Sequence, residues 1–184
     1  MTPEEALQVL LDRLDDFSIP FMIAGSFASN VHGVPRVTQD ADVVIETDIA
    51  RLLRLIKALE ADFYADADDA REAFNTTRML NLIHRDTGFK IDIILRKPRP
   101  FSLEEFKRRV KIHFLDRDRW FATPEDTLLA KLEWPKMGQL ERQFDDAVQV
   151  ARVQGDRLDR AYLEKWAKEL RVADLLRRLF SELD

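Results

Sequence analysis

The sequence predicts an α+β domain that is followed by a helical region. Three observations predict this. Strand-like and helix-like stretches alternate over about the first 120 residues, and the pattern from Thr123 onward is helical. Apolar residues make up 46% of the chain, enough for a packed core. We therefore expect two parts: residues 1–120, and residues 121–184 packed on them.

The elements of the first part follow in order. A helix is expected over "TPEEALQVLLDRLDDF", because Thr2 can cap it and Glu5 completes a capping box. The strand "IPFMIAG" ends at Gly25, and one or two helical turns over "SFASNVHG" end at Gly33, which suits a left-handed residue. The strand "DADVVIE" and the helix "DIARLLRLIKALEA" come next.

The later elements are predicted in the same way. Strands are expected over "TRMLNLIH" and "FKIDIIL", joined by a turn around "RDTG". The helix "SLEEFKRRV" and the strand "KIHFLD" follow them. Three or four helical segments complete the chain, with Gly138 and Gly155 near the breaks.

Composition excludes several classes of protein. No apolar run is long enough to span a bilayer, so we expect no membrane partner. The chain has no cysteine, which excludes disulfides and thiolate metal sites and fits a cytoplasmic location. The net charge of −5 disfavours a uniformly basic nucleic-acid binder, although it leaves room for a local basic patch.

Two carboxylates share one face of a strand otherwise suited to burial. Side chains alternate along a strand, so Asp40 and Asp42 point the same way and Ala41 and Val43 point the other. Neighbouring carboxylates repel each other unless protons, a basic side chain or a metal ion neutralise them. A hard cation such as Mg²⁺ suits oxygen ligands, whereas the simpler interpretation is a turn cap and a solvated strand end.

A third carboxylate, Asp92, lies within the apolar stretch "FKIDIILR". A buried carboxylate without a partner is unfavourable by several kcal/mol. An ion pair with Lys90 on the same face is one explanation. The other is that this strand lies beside the strand of Asp40 and Asp42, so that three carboxylates converge on one or two metal ions.

A Gly-Ser pair, Gly25 and Ser26, stands between the first strand and a helix. Glycine lets a phosphate approach the backbone, and a helix N-terminus offers free N–H groups to it. Taken alone, the pair is also typical of ordinary helix capping. The ordered set of strand, Gly-Ser, helix, Asp-x-Asp strand and later Asp is much more specific than any one part.

On these residues the chain resembles the nucleotidyltransferase superfamily, which has the DNA polymerase beta-like fold. The stretch "GSFASNVHGVPRVTQDADVVI" is most similar to the branch of the AbiEii toxins and related bacterial nucleotidyltransferases. The pattern of that branch is met by Gly25, Ser26, Ala28, His32, Gly33, Arg36, Thr38, Asp40 and Asp42. "TPEDTLLAKLEW" and "RQFDDAV" resemble later segments of the branch, so the likeness spans residues 21–150.

The resemblance implies a mixed, strongly twisted sheet flanked by helices, with a C-terminal helical bundle. It implies that Asp40, Asp42 and Asp92 are catalytic and bind Mg²⁺ or Mn²⁺. It further implies that Gly25 and Ser26 hold the phosphates of an NTP, ATP among them, and that Lys131 reaches the triphosphate. The implied reaction moves a nucleoside monophosphate to an acceptor hydroxyl.

Other residues carry two interpretations each. Arg36 and Thr38 either contact nucleotide phosphates or fix the loop before the Asp-x-Asp strand, with Arg36 paired to an acidic neighbour. His32 is more typical of a structural hydrogen bond at a helix end than of a catalyst. The basic run "RKPRPFSLEEFKRRVK" is either a solvated face or an attraction for a polyanionic acceptor.

Several functions stay open at the level of sequence. The acceptor is RNA or tRNA, a protein, or a small molecule. The branch resemblance adds a toxin–antitoxin role with a cognate antitoxin, and the amphipathic C-terminal stretch adds a homo-oligomer. The alternatives are a catalytically silent nucleotide-binding or protein-interaction module and an antibiotic adenylyltransferase.

Overall fold

The computed structural model describes residues 2–133 and 140–183, so the predicted break at Gly138 lies outside the described residues. Within these ranges the elements are α1 (Pro3–Asp16), β1 (Phe21–Ala24), α2 (Gly25–His32), β2 (Asp40–Ile45), α3 (Ile49–Leu59), β3 (Phe63–Tyr64), α4 (Ala67–Thr76), β4 (Met79–His84), β5 (Lys90–Leu95), α5 (Pro100–Arg108), β6 (Val110–Phe114), β7 (Arg117–Phe121), α6 (Pro124–Glu133), α7 (Leu140–Gln154), a 3₁₀ turn (Gly155–Arg157), α8 (Arg160–Glu169) and α9 (Ala173–Ser181).

The strands of the described residues form one mixed sheet of seven strands in the order β3-β4-β5-β2-β1-β7-β6. The pairs β2–β5 and β1–β7 are parallel, and the other neighbours are antiparallel. The predicted α+β class with a mixed sheet and flanking helices is therefore confirmed. Among the described residues, no helix combines the length and apolar character that a bilayer crossing requires.

The two faces of the central strands differ in chemistry. Ala41, Val43 and Ile45 of β2 are fully buried in the core that α1, α3 and α4 contribute to. The alternate positions, Asp40 and Asp42, point to the opposite face, as the period of a strand requires. This opposite face is called the carboxylate face below.

Helix ends follow the expected chemistry at the start of the chain and depart from it at Gly33. Thr2 caps α1, and Glu5 returns a hydrogen bond to the Thr2 backbone, as predicted. Gly33 follows α2 with φ −127°, so the prediction of a left-handed residue there was wrong. The left-handed glycine is Gly25, with φ +56°, at the start of α2.

Ion pairs connect α5 and the residue before it to the C-terminal helices. The guanidinium of Arg99 binds both carboxylate oxygens of Glu133, and that of Arg108 donates to Glu125 at 3.3 Å. The Tyr162 hydroxyl of α8 donates to the fully buried Asp126 at 2.6 Å. A second apolar cluster joins Phe101 of α5 to side chains of α6, α7, α8 and α9.

Glu105 makes this helical contact sensitive to pH. Burial, with a smaller contribution from the nearby Asp126, raises the pKa of Glu105 to about 8. A carboxyl whose folded pKa exceeds its ordinary value of 4.5 binds its proton more tightly in the folded state. The contribution of Glu105 to the free energy of unfolding is therefore fully present below pH 4.5, its ordinary pKa, and is lost as the pH rises through its folded pKa of about 8.

We expect Glu105→Gln to flatten this dependence and to raise the free energy of unfolding at pH ~8 by about 1–2 kcal/mol, since the amide stays neutral. Urea unfolding at mildly acidic and mildly alkaline pH measures the effect. The exposed Glu164→Gln on α8 is the control. A Glu105→Gln protein with the wild-type slope between these pH values would contradict the assignment.

Candidate active site

Gly25 brings the chain into direct contact with Asp42 at the junction of β1 and α2. Ala24 of β1 pairs with Asp42 of β2, so Gly25 follows immediately beside that carboxylate. A Cβ placed on Gly25 would lie 1.9 Å from Asp42 Oδ2, and its φ of +56° is strained for other residues. The sequence thus needs glycine here for both space and backbone conformation.

The carboxylates come together on neighbouring strands. Asp42 of β2 and Asp92 of β5 are direct partners in the parallel pair, and Asp40 pairs with Lys90. Partners in adjacent strands lie about 4.8 Å apart along the hydrogen-bonding direction and share a face. Asp42 is 9% exposed and Asp92 is 1% exposed. The predicted adjacency of the two strands is therefore present, and Asp92 lies on the carboxylate face.

Asp92 also has local partners. Asn81 of β4 is the cross-strand partner of Asp92, and its side-chain amide donates to Asp92 Oδ1. Lys90 Nζ lies 2.9 Å from Asp92 Oδ2, which is the ion pair that the sequence left open. This buried oxygen nevertheless accepts no hydrogen bond of good geometry, so part of its bonding capacity is unused.

A buried network links Ser26 to the C-terminal helices through Arg36. Arg36 Nη2 donates to Ser26 Oγ at 3.2 Å. The same guanidinium binds both oxygens of Asp146 on α7, at 2.7 Å and 2.6 Å. Lys131 Nζ on α6 donates to Asp146 Oδ2 at 2.8 Å. One carboxylate therefore holds two cations beside the Gly-Ser junction.

The ionisation of this network follows from burial and contact. Burial lowers the pKa of Lys131, although the Asp146 carboxylate opposes that change. Burial alone would raise the pKa of Asp146, but the hydrogen bonds from Arg36 and Lys131 outweigh it and lower the pKa overall. The Asp146 hydrogen bond raises the pKa of Arg36. The network is therefore a charged one, with Asp146 ionised at neutral pH.

The loop before β2 is fixed by its own polar groups. Asn30 donates to the Arg36 carbonyl at 2.7 Å and accepts from the Arg36 backbone N–H at 3.1 Å. Thr38 Oγ1 donates to the Asp40 carbonyl at 2.9 Å. His32 Nε2 lies 2.7 Å from the Ala122 carbonyl, and burial lowers the pKa of this imidazole. Thr38 and His32 thus make structural contacts.

The residues of this face suit a divalent cation by donor chemistry. Asp40, Asp42 and Asp92 offer the carboxylate oxygens that Mg²⁺ and Mn²⁺ prefer, and the underused Asp92 Oδ2 is available for a further bond. Within residues 2–133 and 140–183, however, no three His, Asp or Glu side chains already converge as a ready metal cluster. Metal binding stays a prediction that this donor set fits.

Sequence reasoning missed two residues of the site. Both Asp145 and Asp146 lie within the recognised "RQFDDAV" segment, but Asp145 is exposed and Asp146 is buried. Asp146 neighbours the buried apolar residues Phe144, Ala147 and Val150 on the same helix. The apolar stripe of this helix could therefore have predicted that Asp146 is buried. Asn81 carried no signal, because its contact depends on the register of β4 against β5.

We expect Gly25→Ala to displace Asp42 and strain the start of α2. The clash at 1.9 Å involves a side chain packed at 9% exposure, so it cannot relax freely. The free energy of unfolding should fall by about 1–3 kcal/mol, measured by urea unfolding. Gly88→Ala is the matched control, because Gly88 also has positive φ but nothing lies near its added Cβ. An equal loss in both variants would mean that backbone strain alone matters at Gly25.

Comparison with solved structures places this arrangement in a known architecture. An antigenic nucleotidyltransferase-like protein from Paracoccidioides brasiliensis has a TM-score of 0.58 at 16% identity, covering 95% of this chain and 92% of that one. The antibiotic-resistance factor ANT(2'')-Ia, in complex with adenylyl-2''-tobramycin, has a TM-score of 0.54 at 13% identity, covering 100% of both chains. The chain has the nucleotidyltransferase fold.

A further neighbour with the nucleotidyltransferase fold is the lincosamide antibiotic adenylyltransferase LnuA with lincomycin bound. Its TM-score is 0.54 at 13% identity, and the match covers 79% of this chain and 96% of that one. No family model matches the sequence, and the search of curated proteins found no match. The AbiEii-like branch therefore stays a prediction within the nucleotidyltransferase fold.

Proposed function

We propose that this protein is a metal-dependent nucleotidyltransferase that moves a nucleoside monophosphate from an NTP to an acceptor hydroxyl. One observation carries the proposal: Asp42 and Asp92 are direct partners in adjacent parallel strands, on the face where Gly25 contacts Asp42. Three further features support it: the nucleotidyltransferase fold, the uncapped start of α2, and the cationic network at Ser26.

The start of α2 is suited to the β- and γ-phosphates of the NTP. Its N-terminal N–H groups donate to no capping side chain, so they are available to an anion. Ser26 adds a hydroxyl, and Arg36 orients it. Lys131 and Arg36, both held by Asp146, supply positive charge beside this junction, which would stabilise the pyrophosphate as it leaves.

The bond changes follow from the donor set. The acceptor oxygen forms a bond to the α-phosphorus, and the bond from that phosphorus to the bridging oxygen of pyrophosphate breaks. Asp92 would orient the acceptor hydroxyl and take its proton, while Asn81 and Lys90 hold the Asp92 side chain. Asp40, Asp42 and Asp92 would hold the divalent cation, which supplies charge stabilisation at the phosphoryl oxygens when bound.

The direct test is incubation of the purified protein with each α-labelled NTP, Mg²⁺ or Mn²⁺, and cell lysate. Label should appear on an RNA, a protein or a small molecule. A second readout is independent of turnover: NTP with metal should raise the melting temperature of the wild-type protein. A protein that gives neither label nor a thermal shift with any NTP would support a silent interaction module instead.

A second candidate function rests on the fold neighbours whose names describe antibiotic adenylyltransfer, ANT(2'')-Ia and LnuA. In that case the acceptor hydroxyl belongs to an aminoglycoside or a lincosamide. Expression of the chain in a susceptible bacterium should then raise the inhibitory concentration of tobramycin or lincomycin. Unchanged inhibitory concentrations, together with label on a macromolecule, favour the first candidate, including its toxin–antitoxin version with a cognate antitoxin.

A further inference from the structure

The basic run of residues 96–111 divides into two groups in the fold. Arg99 and Arg108 point inward and bind the carboxylates of Glu133 and Glu125. Lys107, Arg109 and Lys111 make no ion pair with any carboxylate of the described ranges 2–133 and 140–183. Only the second group thus offers uncompensated positive charge to a ligand.

Two of these free cations line a pocket of about 330 Å³ between α5 and the ends of β2 and β5. Glu46 is the carboxylate among its lining residues, and Arg96 already binds both Glu46 oxygens, at 3.2 Å and 2.9 Å. Three cations, Arg96, Lys107 and Arg109, therefore share one carboxylate in the lining, and the pocket carries a net positive charge. An anion is the ligand that this imbalance favours.

The guanidinium of Arg109 is held by two rings and by the Phe106 carbonyl, to which its Nη1 donates at 2.5 Å. It lies 4.3 Å from the ring centre of Phe106 and 4.9 Å from that of Trp120. Its Nε is buried and has no hydrogen-bond partner, and burial lowers the pKa of the group. Because Nε is buried, a phosphate oxygen in the pocket would bind the Nη2 end of this fixed guanidinium.

The pocket lies on the same face of the sheet as the carboxylates. Side chains alternate between the two faces of a strand, so residues 42 and 44 of β2 lie on the carboxylate face, and so does residue 46 just after it. The same holds for residues 92 and 94 of β5 and for residue 96. The step from Asp92 to Arg96 is four residues, or about 13 Å at ~3.3 Å per residue. At ~3.4 Å per nucleotide, this distance equals roughly four stacked nucleotides of one strand.

We infer that this pocket binds the phosphodiester backbone of a single-stranded nucleic acid whose terminal hydroxyl lies at Asp92. The inference rests on the proposed function and names its acceptor class. A polycationic antibiotic is disfavoured, because Lys107 and Arg109 would repel it. The triphosphate has its own cationic surroundings at Ser26, where Arg36 and Lys131 lie, and Ser26 does not line this pocket, so the pocket is left for the acceptor.

The test is fluorescence anisotropy with a short labelled single-stranded RNA, without NTP or metal, over a range of salt concentrations. The Lys107→Gln, Arg109→Gln double variant should bind about tenfold more weakly, and its salt slope should fall by about 1.4, or ~0.7 per lost phosphate contact. Lys107→Glu alone should weaken binding in the same direction. This side chain is exposed, so that variant keeps the test valid if Arg109→Gln impairs folding.

Arg51→Gln, Lys57→Gln on α3 is the matched control, because it removes the same charge from exposed positions away from the carboxylate face. Wild-type affinity in the pocket variants, or an equal loss in the control, would overturn the inference. So would loss of the ATP-induced thermal shift in the pocket variants, since the pocket would then hold the NTP. If single-stranded DNA also binds, and the pocket variants lose affinity for it to the same extent, the result supports recognition of the backbone. Failure of the proposed function would appear separately, as an absence of label from any NTP.

Discussion

Asp42→Asn should reduce nucleotidyl transfer by about a thousandfold or more, equivalent to roughly 4 kcal/mol of transition-state stabilisation. The amide keeps the shape of the side chain but removes the charge that a divalent cation requires. Asp92→Asn should have an equal or larger effect, because it also removes the proton acceptor proposed for the acceptor hydroxyl. The measurement is initial rate with labelled NTP at saturating Mg²⁺.

The matched control for this prediction is Asp86→Asn. Asp86 is exposed in the turn between β4 and β5, on the same part of the sheet but outside the site. It should retain wild-type rate. Folded Asp42→Asn and Asp92→Asn proteins that both turn over at the wild-type rate would show that these carboxylates do not serve catalysis.

Asp146→Ala should lower the free energy of unfolding by about 3–5 kcal/mol, the largest loss of stability that we expect from a single change. The substitution leaves Lys131, at 5% exposure, and Arg36 without the carboxylate that both of them bind. Urea unfolding at neutral pH measures the loss. Asp145→Ala, at the adjacent exposed position, should change stability by less than about 0.5 kcal/mol.

The pH dependence of this effect has a definite sign. The folded pKa of Asp146 is lowered, so its contribution is present above the ordinary value of 3.8 and is lost as pH falls below it. The difference between wild type and Asp146→Ala should therefore shrink in acid. A difference that stays constant through that range would mean that packing, and not charge, accounts for the loss.

A compensated variant separates stability from function. Asp146→Leu with Lys131→Met removes the acid and its buried lysine together, so it should recover the part of the lost stability that comes from the unpaired Lys131. Arg36 also loses Asp146, but its side chain is 26% exposed and keeps contact with water. The double variant should not recover NTP binding, because Lys131, the side chain proposed to reach the triphosphate, is gone and Arg36 has lost the carboxylate that orients it. Recovery of both properties would assign the network a purely structural role.

The central part of this fold was predictable because its signals are local. Alternation along "DADVVIE" and "FKIDIIL" placed Asp40, Asp42 and Asp92 on defined faces of their strands, and β2 and β5 are neighbours in the sheet, as predicted. Three elements were absent from the prediction: β3, α4 and β7. The two residues of β3 are too few for a periodic pattern. β7 has three charged residues followed by two aromatic ones, so it lacks the apolar alternation typical of a strand.

Partners that are distant along the chain were not predictable in the same way. The contact of Arg36 with Asp146 spans 110 positions, and no spacing rule relates them. The contact of Asn81 with Asp92 depends on strand register, which a turn of undetermined type cannot fix in advance. The roles assigned to Asp40, Asp42, Asp92 and Lys131 stay predictions, although the fold brings their elements to one region.

The tie between Arg36 and Asp146 limits how this chain can be recombined with others. A chimera that keeps residues 2–133 and takes its final helices from another protein would lose the acid that neutralises both cations. The graft would need a carboxylate at the same point of its first helix. The α7 carboxylate is thus the counterion of two side chains from earlier elements, Arg36 and Lys131, and interchange between relatives must preserve that charge.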